Sequence, residues 1–312
     1  MALWPPVVRA ARPARAVHAV YAGARAFACL VALALVALAG PARAQDAALA
    51  WQPGWRRASP ADYVLVSALG ASNLAVGLAF PGEREAAWTG RNGFDDGVRD
   101  GLRLRSREAR RWAGITSDAL WIGLTLYPGL VDSLLLATVK HHSPDVGWQL
   151  FIAYGESALA AGLVTVATQG LTGRARPLAQ ECGANPDYDP HCETRQRNRS
   201  FVAGHVSMAV NSAALTCVNQ AYLPLYGSGA GGIIACASLG LAAGGVGVLR
   251  IASDKHWATD VLAGAALGVT TGALMPLVLH YGFGRAPGAA SSWRLTPVVG
   301  QGSVMALAGG AF

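Results

Sequence analysis

The sequence predicts an all-α protein, a bundle of about six helices embedded in a membrane, with a short β-hairpin-like tail. The chain of 312 residues is 53% hydrophobic and only 14% charged, whereas about 25% of residues are charged in ordinary soluble proteins. Its apolar residues fall into six long segments, as expected for helices that cross a membrane. We expect the helical domain to cover residues 45–285 and the tail to cover residues 286–312.

The N-terminus has the pattern of an export signal. Four arginines precede an apolar run over residues 27–40, and the small residues Ala42 and Ala44 follow it at the spacing of a cleavage site. This pattern predicts a signal peptide over residues 1–44. The alternative is an anchor helix that is not cleaved.

The six apolar segments cover about residues 60–80, 112–139, 146–171, 204–222, 229–249 and 256–281. Between the first two, arginines recur at helical spacings, which predicts either an amphipathic helix on a membrane surface or an ordinary solvated helix. Gly264, Gly268 and Gly272 form a stripe that lets another helix approach closely. In the tail, Gly300 and Gly302 separate two short strand-like runs, which predicts a β-hairpin.

The charge and cysteine content narrow the function classes. The formal net charge is +7, but the basic residues are spread out without interleaved aromatic residues, so we expect no nucleic-acid partner. Cys182 and Cys192 flank a polar loop and are expected to pair in an oxidising compartment. Cys217 and Cys236 lie in apolar segments and are expected to be buried thiols. No group of cysteines or histidines has the spacing of metal ligands, so we expect neither a metal nor a cofactor.

Three polar blocks mark the ends of apolar segments. The first, residues 173–177, closes the third segment; the second, residues 200–205, opens the fourth; the third, residues 250–260, joins the fifth to the sixth. In a bundle whose helices alternate in direction, all three blocks lie at the same end. They can therefore form one site from residues that are distant in the sequence.

The residue types in these blocks suit the binding of a tetrahedral oxyanion. Arg176 and Arg250 supply two planar guanidiniums. Gly204 lacks a side chain, so its N–H at the start of a helix can approach the anion.

The same blocks contain groups for proton and phosphoryl transfer. His205 can protonate a leaving oxygen, and His256 can attack phosphorus. Asp260 lies four residues after His256, so at the start of a helix both share one face. We expect its carboxylate to hold an imidazole N–H and to fix the tautomer of His256.

These blocks resemble the type 2 phosphatidic acid phosphatase and vanadium haloperoxidase superfamily, whose pattern is Lys-x6-Arg-Pro, Pro-Ser-Gly-His and Ser-Arg-x5-His-x3-Asp. The matching residues are Arg176-Pro177, Gly204-His205, Arg250, His256 and Asp260. The resemblance implies a metal-independent, acid-phosphatase-like enzyme that hydrolyses a phosphomonoester or pyrophosphate, of a membrane lipid or a small phosphoester. It implies a phosphohistidine intermediate, with His256 as the nucleophile, His205 as the general acid and Asp260 as the orienting partner.

The chain departs from that pattern in three places. Gln169 occupies the lysine position, Val202-Ala203 replaces Pro-Ser, and Leu249 replaces the serine before the arginine. We expect Gln169 to contact phosphate weakly, and activity to be reduced by the missing charge and hydroxyl. Arg174 either replaces the missing charge or is a solvated loop arginine.

Two alternative functions remain open, a non-catalytic relative that binds lipid phosphate and a vanadate-dependent haloperoxidase. We expect a bacterial-type cell membrane location with the site facing the periplasm or exterior. If the signal is cleaved and all six segments cross, however, the site faces the cytoplasm, where Cys182 and Cys192 would stay reduced. Either segment 60–80 does not cross, or the fold is an apolar globular one, or the signal prediction is wrong.

Overall fold

A computed structural model describes residues 49–82, 85–227 and 230–283, together with the backbone of strands at residues 294–300 and 303–309. The export signal predicted for residues 1–44 lies outside the described residues. The described part is dominated by long helices that run alternately up and down, so the predicted all-α fold is confirmed. In the tail, β1 (Arg294–Gly300) and β2 (Ser303–Gly309) pair as an antiparallel hairpin in which Gly300 faces Ser303.

The bounds of the helices follow the predicted segments closely. In chain order they are α1 Pro60–Ala79, α2 Gly93–Leu102, α3 Arg107–Lys140, α4 Pro144–Thr172, α5 Ala179–Cys182, α6 Gly204–Tyr222, α7 Ala230–Ala252 and α8 Ala258–Tyr281. The second part of α3, from Pro128, and parts of α8 are π-helical. The strands are β1 Arg294–Gly300 and β2 Ser303–Gly309, and single 3-10 turns occupy Pro186–Tyr188, Pro190–Glu193 and Arg195–Asn198.

Five of the described helices are long and apolar enough to cross a membrane: α1, α3, α4, α7 and α8. Helix α6 is not among them, and its buried side chains include Ser207, Asn211, Thr216 and Asn219. It packs against α3, α4, α7 and α8. A helix that faces protein on all sides needs no apolar surface toward lipid, so polar residues are tolerated where they find partners.

The glycine stripe of α8 lies against α6. A Cβ atom at Gly264 would lie 2.6 Å from the carbonyl oxygen of Ala203, and one at Gly268 would lie 2.6 Å from that of Ser207. The predicted close approach of another helix is therefore confirmed, and α6 is that helix.

The arginine-rich region between α1 and α3 does not form one continuous helix of the predicted amphipathic or solvated kind. It folds as α2, a break and the start of α3. Arg99 is buried and donates to Asp254 at 2.7 and 2.8 Å. Arg110 is buried as well, with its guanidinium 3.8 Å from the ring centroid of Tyr188. The helical spacing was misleading because these charges have partners in the loops of the site end.

Two disulfides are present among the described residues. Cys182–Cys192 ties α5 to the 3-10 turns at the same end as the three polar blocks. Cys217–Cys236 joins α6 to α7 nearer the opposite end, so the expectation that these two are free thiols is wrong. The sequence could not reveal the second pairing, because it depends on the register between two packed helices.

Candidate active site

The helix ends bring the three polar blocks together. Helix α4 ends at Thr172, and the next residue, Gly173, has a left-handed φ of 51° that turns the chain into the first block. Helix α6 begins at Gly204 in the second block, and the turn between α7 and α8 is the third. Backbone hydrogen bonds join the blocks directly, from Ser200 to the Arg174 carbonyl at 3.0 Å and from Ala203 to the Asp260 carbonyl at 3.1 Å.

His256 lies in the turn before α8, with 1% of its surface exposed. It is therefore not on a helix face with Asp260, as the spacing suggested. Its Nδ1 lies 2.8 Å from the carbonyl oxygen of Ser200 and 3.8 Å from Oδ2 of Asp260. Because a carbonyl only accepts, Nδ1 carries the proton and Nε2 keeps its lone pair. The tautomer is the one a nucleophile needs, but a main-chain carbonyl fixes it.

Asp260 is the third residue of α8 and is fully buried. Its Oδ2 accepts from the Trp257 N–H at 2.9 Å and from the Ser200 hydroxyl at 2.5 Å. Ser200 therefore joins Asp260 to His256, since its hydroxyl donates to the carboxylate and its carbonyl accepts from the imidazole.

Arg174 is neither a solvated loop residue nor placed to replace the missing charge. It is 1% exposed and donates to Asp260, to Oδ2 of Asp95 at 2.7 Å and to the Thr259 hydroxyl at 2.8 Å. The Trp88 ring covers its guanidinium at 4.1 Å. Two buried carboxylates thus use its charge, and we do not count it among the phosphate-binding residues.

Arg176 and Arg250 are buried, at 5% and 3% exposure. Arg176 donates to the carbonyl of Arg199 at 3.3 Å, and Arg250 donates to Asp118 at 2.8 Å. Burial, followed by the positive charge of Arg250, lowers the pKa of Arg176 to about 9. Two guanidiniums thus lie within reach of each other in a poorly solvated region, which favours an anion.

His205 follows the first residue of α6, and its Nε2 lies 3.0 Å from Oδ1 of Asp118. Burial lowers its pKa to about 4; Arg250 acts in the same direction and Asp118 in the opposite one. Burial also lowers the pKa of His256 to about 3, with Arg176 and Arg250 adding to the effect while Asp260 opposes it. Both imidazoles are therefore neutral at pH 7 in the unliganded protein.

Gly204 and Gln169 have packing roles in the structure. A Cβ at Gly204 would lie 2.8 Å from Cγ2 of Thr165 and 3.4 Å from Nε2 of Gln169, so α4 leaves no room for a side chain there. Nε2 of Gln169 donates to the carbonyl of Val202 at 2.9 Å. Gln169 therefore holds the chain that leads into α6.

Residues 150–283 match the family model described as the PAP2 superfamily. The matched region contains the three polar blocks, so the resemblance to this superfamily is confirmed. No curated protein and no solved structure matches the chain. The PAP2 superfamily supports a phosphatase-type activity on phosphoester substrates.

Several residues of the candidate site could not be identified from the sequence. Asp118 contacts both His205 and Arg250, and its signal was a carboxylate inside an apolar segment. Ser200 opens the second block, and its residue type alone predicted no role. Lys255 precedes His256 and contacts Asp189 and His191 from the disulfide loop; nothing in the sequence pointed to those two.

A cavity of about 760 Å³ opens beside Arg176. Its walls include Trp257, the Cys182–Cys192 disulfide and Arg197. The cavity next to this buried arginine is large enough for a small headgroup.

Proposed function

We propose that the chain is a metal-independent phosphatase that hydrolyses a phosphomonoester or pyrophosphate through a phosphohistidine intermediate. The observation that carries the proposal is the grouping of two buried guanidiniums, Arg176 and Arg250, with the buried imidazole of His256 and the partly exposed imidazole of His205, in a region that matches the PAP2 superfamily. Such a constellation suits a tetrahedral anion that must be bound, attacked and relieved of a leaving group.

In the first step, the phosphoryl oxygens lie on Arg176 and Arg250. Nε2 of His256 attacks phosphorus, a P–N bond forms and the P–O bond to the leaving group breaks. His205 donates its proton to the leaving oxygen. The positive charge on His256 is stabilised by Asp260, acting through space and through Ser200.

In the second step, water replaces the leaving group. His205, now neutral, takes a proton from that water, the oxygen attacks phosphorus and the P–N bond breaks to release phosphate. His205 must be protonated at the start, although its pKa is about 4 in the unliganded protein. The negative charge of a bound phosphate dianion offsets the positive charges of the two guanidiniums and raises the pKa of His205. Binding of the substrate therefore favours the protonated form that acts as the general acid.

The substrate we favour is a lipid phosphate. The side chain of Asp118 is 50% exposed on α3, and Ile115 and Ile122 are exposed one turn before and after it. Helix α3 has 34 residues, about 50 Å of length, which exceeds a hydrocarbon core of about 30 Å. A phosphate headgroup can therefore reach His205 from the membrane interface with its acyl chain along α3.

The test is phosphate release by purified protein from a lipid phosphomonoester, a lipid pyrophosphate and a soluble phosphomonoester. We expect turnover of a lipid substrate and a loss of at least about 1,000-fold in His256→Ala. His142→Asn is the matched control, since His142 is exposed at the other end of the bundle. Retention of more than about a tenth of the activity in His256→Ala would refute the mechanism. Phosphate binding without turnover would indicate the non-catalytic relative, and halide oxidation with vanadate and peroxide would indicate the haloperoxidase.

We also propose that the site faces the periplasm or exterior. The support is the disulfide Cys182–Cys192 in the loops at the site end, since disulfides persist in oxidising compartments. The disulfide Cys217–Cys236 joins two helices rather than loops, so it does not distinguish the two faces. If the six long helices all cross, residues 49–59 then lie on the cytoplasmic side. In that arrangement residues 1–44 do not act as a cleaved signal.

A further inference from the structure

Lys255 lies directly before His256, and its side chain is 12% exposed. Its Nζ lies 2.7 Å from both carboxylate oxygens of Asp189 and 3.1 Å from Nδ1 of His191. This poorly solvated ammonium belongs to the residue next to the proposed nucleophile, yet it has no part in the mechanism described above.

Lys255 and Arg176 are close neighbours. Nδ1 of His191 lies 3.1 Å from Nζ of Lys255 and also 3.1 Å from Nη1 of Arg176. Ammonium and guanidinium groups only donate, so Nδ1 accepts and His191 is neutral. Burial, followed by the charges of Lys255 and Arg176, lowers the pKa of His191 to about 4, in agreement with this assignment.

We propose that Lys255 is a third phosphate-binding cation. Asp189 pairs with its ammonium until the substrate's phosphate displaces that carboxylate. The inference deepens the proposed function and rests on it for the nature of the ligand. It names a further binding residue, Lys255, and a residue that limits affinity, Asp189.

The charges around the site favour this exchange. Three cations (Arg176, Arg250 and Lys255) meet two carboxylates from outside the blocks, Asp118 on Arg250 and Asp189 on Lys255. A phosphate dianion carries twice the charge of a carboxylate and presents oxygens to several donors at once. It can therefore displace a carboxylate that pairs with one cation.

The position of Asp189 suits such a displacement. It lies between two single 3-10 turns, Pro186–Tyr188 and Pro190–Glu193, outside the long helices. Its Oδ1 also accepts from the His191 N–H at 2.8 Å, so the carboxylate has a second partner in its own turn. The exchange needs no movement of α7 or α8, because the turn that carries Lys255 is fixed by Asp254, which accepts from Arg99 and Tyr188.

The test compares two variants that break the same ion pair. Calorimetry with inorganic phosphate measures the Kd of wild type, Lys255→Gln and Asp189→Asn. We expect Lys255→Gln to weaken phosphate binding roughly tenfold and Asp189→Asn to tighten it roughly threefold or more. If the pair only holds the loop in place, both variants weaken binding together. An unchanged Kd in Lys255→Gln, or weaker binding in Asp189→Asn, overturns the proposal.

Control variants separate charge from folding. Asp187→Asn removes an exposed carboxylate from the same loop and is expected to leave the Kd unchanged. Lys255→Arg keeps the charge and is expected to bind phosphate within about threefold of wild type; failure in a folded Lys255→Arg and Lys255→Gln alike would point to packing and contradict the proposal. Turnover is measured separately: phosphate binding that depends on Lys255 without turnover overturns the proposed function alone, and turnover with binding unaffected by Lys255 overturns this inference alone.

Discussion

Ser200 links the buried carboxylate of Asp260 to the imidazole of His256, the proposed nucleophile. Its hydroxyl donates to Asp260 at 2.5 Å and its carbonyl accepts from His256 at 2.8 Å. Ser200→Ala keeps the carbonyl and removes the hydroxyl. We predict a roughly three- to tenfold fall in kcat with little change in KM, because the link stabilises the imidazolium that forms only during reaction. Steady-state kinetics check this, and an unchanged kcat would show that Asp260 acts without Ser200.

At the residue scale, the sequence was informative where the chemistry is local. The spacing of Arg250, His256 and Asp260 within eleven residues marked the block that contains the proposed nucleophile. The roles of Arg174 and Gln169 could not be predicted, because Asp95 and the Val202 carbonyl meet them only after the chain folds. The predicted hydrogen-bond partner of His256 Nδ1 was also wrong, because every residue has a main-chain carbonyl and the sequence does not show which one will accept.

At the scale of elements, the contact between α8 and α6 depends on residues without side chains. A Cβ at Gly268 would meet Ser207, Asn211 and Val210 at 2.6 to 2.8 Å. We predict that Gly268→Val lowers Tm by at least about 5 °C, since the two helices must separate. Gly244→Ala in α7 is the control, because a Cβ there meets nothing within 4 Å. Thermal unfolding in detergent compares them, and equal Tm values would contradict the packing described.

The long helices were the most predictable elements. Apolar segments of about 20 residues marked α1, α3, α4, α6, α7 and α8 to within a few residues, because lipid-facing and buried faces together leave few polar positions. The prediction for the arginine-rich region was wrong because helical spacing alone does not distinguish a solvated charge from a buried one. Arg99 is buried only because Asp254 lies beside it, far along the chain.

For the molecule as a whole, stability should depend on pH through His191 and His256. Their folded pKa values, about 4 and about 3, lie below the ordinary value of 6.5. As the pH falls the unfolded chain takes up protons first, so the stabilisation is complete above about pH 6.5 and declines as the pH falls toward 4 and then 3. We predict a Tm at least about 5 °C lower at pH 4.5 than at pH 7.5. His191→Gln should reduce that difference, and a pH-independent Tm in wild type would contradict the assignment.

The orientation of the bundle gives a second prediction at this scale. Reporter fusions at Gly93 and Asp187 sample the site end, and one at Ser143 samples the opposite end. We predict signals of an exported reporter at the first two and a cytoplasmic signal at the third. The reverse pattern would place the site in the cytoplasm and favour the cleaved signal predicted for residues 1–44.

The central claim is that His256 becomes covalently phosphorylated. The direct measurement mixes the protein with a substrate that it hydrolyses and quenches the reaction at alkaline pH, where a P–N bond survives. Peptides from the quenched protein are then examined by mass spectrometry. We predict a phosphoryl group on His256, and none in the equivalent peptide of His256→Ala. Steady turnover with His256 unmodified under rapid quench, or with the phosphoryl group on another residue, would contradict the account.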